Sequence, residues 1–131
     1  MNVWIARTWL VVSAGLHLYF GALFAIDATP MLAGLAIAQT EPSGLIEMRA
    51  FYGGLMLALG ALFAAAALRR EWLRAGLVLM TVTYFGAASV RATWMLIDGV
   101  SDDWLVRILS IEAGGALAGA LSLARGGLSR D

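Results

Sequence analysis

The chain has 131 residues, no Cys, one His and a formal net charge of zero. Apolar residues make up 61% and charged residues 14%, against about 45–50% and about 25% in soluble domains, so much of the apolar surface must face lipid. The neutral balance removes the electrostatic case for nucleic acid. Absence of Cys excludes a disulfide framework, a thiolate metal site and a Cys nucleophile. One His leaves no multi-His metal centre within a single chain.

A bilayer core about 30 Å thick needs roughly 20 apolar residues of helix. The first such run covers 8–26 and holds no Asp, Glu or Arg. Its alternative reading is a signal peptide with Arg7 at its basic start, but the run is long for a signal and no A-x-A site follows it cleanly. Thr29 is the expected N-cap of a short helix over 31–38, with Pro30 in its first turn. Eight residues are too few to span, so this helix is read as interfacial. Pro42-Ser43-Gly44 is read as a break before the second run, 50–68.

The third run covers 75–97 and is interrupted only by Arg91. The fourth, 104–124, contains Arg107 and Glu112. Short links join the last three runs, which makes sequential helices antiparallel neighbours. The expected fold is therefore an all-α integral membrane protein: one up-down four-helix transmembrane bundle over residues 1–131. Arg7, Arg69, Arg70, Arg74, Arg125 and Arg130 fall on one side of it, and only Arg49 and Arg107 on the other. That asymmetry places both termini in the cytoplasm and the two acidic connections outside.

Charges within the spans are costly in lipid and tend to face the bundle interior. At about 1.5 Å per residue, Arg91 lies about 10 Å below the outer end, Glu112 about 12 Å and His17 about 13 Å. An Arg91–Glu112 pair is the leading expected contact, with Asp98 a second candidate partner for Arg91. Tyr84, Arg91 and Asp98 recur every seven residues and share a stripe. Glu47, Arg49 and Tyr52 stand at the outer mouth of the second span. Two readings are open: the charges specify packing, or they line an outward-facing polar pocket for a headgroup, quinone, small acid or proton. His17 suits a proton carrier, whereas a haem on it would need a second chain or five-coordinate iron and is not expected. Gly115 and Gly119 form GxxxG, and the second span carries Gly53, Gly54 and Gly60, which suits either packing within the bundle or a dimer seam.

The segment Glu47-Met48-Arg49-Ala50-Phe51-Tyr52-Gly53-Gly54, followed by Gly60, resembles the signature of a bacterial family of four-helix membrane proteins of unknown function. It is similar in outline to the DoxX-like membrane proteins. Tyr84-Phe85-Gly86, Arg91, Asp98-Gly99 and Glu112 continue that pattern in order. The resemblance implies a bacterial inner-membrane protein in which Glu47, Arg49, Arg91, Asp98 and Glu112 belong together. It implies no activity, and His17 is outside the pattern.

The leading functional expectation is a non-enzymatic membrane protein whose pocket binds a lipid-like or small amphiphilic molecule. In it Arg91 and Arg49 hold an anionic or carbonyl group and Glu47, Asp98 and Glu112 position them. The second is a structural accessory subunit, with a homo-oligomer or larger membrane complex as partner. The third is a membrane enzyme or a proton- or quinone-linked protein using His17 and Glu112.

Overall fold

The computed structural model describes residues 2–38 and 41–125; Arg130, counted with the cytoplasmic arginines, lies outside the described residues. The described residues are mostly helical, with no strand among them. Helix α1 runs Val3–Ile26. It begins earlier than the apolar run because the Asn2 side chain accepts a hydrogen bond from the Trp4 amide at 3.0 Å, a cap that hydropathy does not register.

The short helix differs from expectation. Helix α2 covers Ala28–Gly34, and its N-cap is Asp27, whose carboxylate accepts from the Thr29 amide. The apolar run ends at Ile26, so the carboxylate directly after it reaches the free amides of the first turn before Thr29 can. Residues 35–38 are not helical. The Ala36 amide donates to the Ala33 carbonyl at 3.0 Å and the Ile37 amide to the Leu32 carbonyl at 2.9 Å. With Ala36 left-handed at φ 56, this closes α2 in a Schellman turn.

Pro42 is a start and not a break. It occupies the first turn of helix α3, Pro42–Met48, where its missing amide costs no hydrogen bond. Helix continues through a π-helical segment, Arg49–Gly54, into α4, Leu55–Leu68. After a 3-10 turn at Arg70–Trp72 come α5, Leu73–Asp98, and α6, Asp103–Ala124. Between them Gly99 adopts φ 66, and the Asp102 carboxylate accepts from the Leu105 amide at 2.9 Å. Four helical stretches are long and apolar enough to cross a membrane: Val3–Ile26, Pro42–Leu68, Arg70–Asp98 and Asp103–Ala124.

Residues cluster into two compact units, 11–65 and 1–10 with 66–131. In the 11–65 unit α1 and α4 run antiparallel in constant register. A Cβ on Gly53 would lie 2.8 Å from Ala25 Cα, and one on Gly60 would lie 2.9 Å from the Leu18 backbone nitrogen. Only glycine permits backbones so close. Phe24, Ala28 and Leu32 form a buried cluster, packed by Met31, Leu35, Leu45 and Met48, which seats α2 against α3.

In the other unit α5 buries one stripe, Leu73, Gly76, Leu77, Met80, Tyr84 and Ala88. It meets the buried stripe of α6, Glu112, Ala116, Gly119 and Ser122. Gly115 faces the Tyr84 ring and Gly119 faces Thr81 and Met80. The GxxxG pair therefore packs against α5. Gly54 and Gly114 have no neighbouring side chain where a Cβ would stand.

Candidate functional site

Within each unit, clusters of the expected residues are set by local helix chemistry. The first joins α5 and α6. Arg91 Nε donates to Glu112 Oε2 at 2.9 Å, and Arg91 Nη2 donates to Glu112 Oε1 at 2.8 Å. This parallel fork is the strong form of a guanidinium–carboxylate contact. The Glu112 side chain is 11% exposed and that of Arg91 28%. Arg91 stands seven residues before the end of α5 and Glu112 nine after the start of α6, so antiparallel helices bring them to one level. Asp98, the other candidate partner, is exposed at the last turn of α5. Tyr84, on the same stripe, is buried.

The second cluster surrounds the π segment. Arg49 opens it, and its Nη2 lies 4.0 Å from Asp27 Oδ1. The same Oδ1 accepts the Thr29 amide at 3.0 Å, so Asp27 both caps α2 and faces Arg49. With side chains 42% and 56% exposed, this ion pair contributes little to stability. Arg49 Nε is nevertheless buried and has no hydrogen-bond acceptor, a condition that costs energy unless a partner arrives. Tyr52 stacks on Phe24 with ring centroids 5.1 Å apart at 23°, and Glu47 is exposed on α3. A π turn widens the helix and is often found at functional positions.

His17 lies within α1. Its Nδ1 lies 2.9 Å from the Ser13 carbonyl, which makes Nδ1 the protonated, donating nitrogen. The ring meets Phe63 edge-on, with centroids 5.1 Å apart at 82°. Among the described residues no three of His, Cys, Asp and Glu cluster as a metal site requires.

Neither of two surface grooves is lined by the seven expected site residues. One, of about 330 Å³, runs along the start of α1 and the end of α6. The other is open and shallow beside Arg74, Val78 and Val82. Sequence reasoning missed Asp27 as a cap and as the neighbour of Arg49, and it missed the π segment. The first had a signal, a carboxylate ending an apolar run three residues before Pro30. The tandem Gly53-Gly54 was the only trace of the second.

A family profile described as a domain of unknown function, DUF4345, matches residues 5–123. The chain belongs to the DUF4345 family. Its match reaches all four apolar helices, so this DUF4345 chain carries both the Arg91–Glu112 fork and the Arg49 cluster inside the family region. Comparison with curated proteins found no match, and neither did comparison with solved structures.

Proposed function

We propose that this chain is a non-enzymatic, four-span protein of the bacterial inner membrane that holds a small amphiphile at its outer end, with Arg49 as the anchor for an anionic or carbonyl group. The observation that carries this reading is the buried Arg49 Nε–H with no acceptor, in a π-helical turn beside Asp27 and Tyr52. A phosphate or carboxylate oxygen would satisfy that donor, and the Tyr52–Phe24 stack offers an apolar wall to the tail. Arg91 is the poorer anchor, because two of its N–H groups already hold the Glu112 carboxylate. Arg7 Nε is also buried without an acceptor, but its guanidinium lies 5.9 Å over the Trp4 ring, which suits an arginine resting at an interface. The bacterial membrane rests on the sequence motifs alone. Cytoplasmic termini are supported by the arginine asymmetry.

The structural-subunit reading is favoured by the Arg91–Glu112 fork, since a satisfied intramembrane pair serves assembly without any ligand. Native mass spectrometry from mild detergent separates the two readings, with the wild type run beside Arg49→Leu and Arg91→Leu. The amphiphile reading expects a retained small-molecule mass that Arg49→Leu loses. A chain that is bare in every sample, or that carries only partner protein, overturns it in favour of the structural one.

A further inference from the structure

The groove between the start of α1 and the end of α6 lies far in sequence from Arg49 and is lined differently. Asn2, Ile5 and Trp9 line it from α1, and Gly114, Leu121 and Arg125 from α6. Asn2, Ile5 and Trp9 repeat at three- and four-residue steps, so they share one face of α1. Gly114 opens the inner end of the groove, because nothing stands within 4 Å of where its Cβ would be. Arg125, the exposed C-cap of α6, supplies a cation at that end of the helix and lines the groove together with Asn2. From Gly114 to Arg125 is about 16 Å along the helix, close to half of a hydrocarbon core about 30 Å thick. The groove therefore runs one leaflet deep, apolar along its length and basic at its end.

The geometry points to an anionic phospholipid seated here, one acyl chain along Gly114 and Leu121 and the headgroup phosphate on Arg125. Charge complementarity decides for a lipid over a helix of a second copy. Arg7, Arg69, Arg70, Arg74 and Arg125 outnumber Glu71 on that side, so a second copy would bring net positive charge to Arg125, and a cation at a membrane surface attracts anionic lipid. The groove assignment does not depend on Arg49. Only its leaflet, the cytoplasmic one, rests on the orientation proposed above.

The test uses full-length protein stripped of lipid in detergent and titrated with phosphatidylglycerol or phosphatidylcholine, read by native mass spectrometry. The wild type should retain one phosphatidylglycerol at least tenfold better than phosphatidylcholine. Arg125→Gln should erase that preference. Gly114→Leu should lose the lipid by filling the groove, and helical circular dichroism should stay unchanged, because no neighbour is there to clash. Arg49→Leu should bind as the wild type does, which separates this site from the amphiphile site. Equal retention of the two lipids by the wild type overturns the inference. So does undiminished binding in Gly114→Leu, or a dimer that Gly114→Leu dissolves.

Discussion

Arg91 and Glu112 meet side by side across α5 and α6 through two hydrogen bonds of 2.9 and 2.8 Å. Both side chains are largely buried, so each charge makes the other tolerable, and removing one is worse than removing both. Glu112→Leu should destabilise the protein by about 3–5 kcal/mol. The double variant Arg91→Leu/Glu112→Leu should recover most of that loss. Reversible unfolding in mixed micelles measures both. A double variant as unstable as the single would mean that the pair is not a closed unit.

Gly60 and Gly114 make opposite predictions. A Cβ at Gly60 would meet the Leu18 backbone nitrogen at 2.9 Å, and backbone yields little, so Gly60→Ala should cost about 1–3 kcal/mol. Gly114 faces open space, so Gly114→Ala should be neutral or stabilise by up to about 1 kcal/mol through lower backbone entropy. Thermal melts of the two variants in one detergent decide the matter.

Ala36 holds a left-handed backbone at φ 56 where glycine is usual. Ala36→Gly should therefore stabilise α2 by about 0.5–1 kcal/mol. Loss of stability would mean that the Ala36 methyl packs more than its exposed position suggests.

Asp102 caps α6 through the Leu105 amide at 2.9 Å. Asp102→Ala should cost about 1 kcal/mol, and Asp102→Asn much less, because the amide oxygen accepts the same bond. Hydrogen exchange in the first turn of α6 should rise in the alanine variant alone.

Orientation is directly measurable, because the chain has no native Cys. Ser101→Cys should react with an impermeant thiol reagent in intact cells, and Arg70→Cys only after lysis. The reverse pattern would invert the topology.

Much of the fold was legible because its cause is local. A run of apolar residues long enough for a bilayer announces a span, whatever it packs on. The Arg91–Glu112 level could be read by counting residues from two helix ends, because an α-helix rises uniformly. Helix starts were less legible. Asn2, Asp27 and Pro42 set them through single hydrogen bonds or the absence of one, and these weigh nothing in a hydropathy window. The π segment was hidden because its residues are ordinary helix formers next to two glycines.

The sequence by itself determined four helices long and apolar enough to cross a membrane, since that property depends on composition along the chain. Only the tertiary structure decided that Glu112 and not Asp98 holds Arg91. It alone seated Gly115 and Gly119 on α5 and left Arg49 Nε without an acceptor. Those outcomes depend on which helix face meets which neighbour, and nearly uniform apolar helices carry too little periodicity to say so.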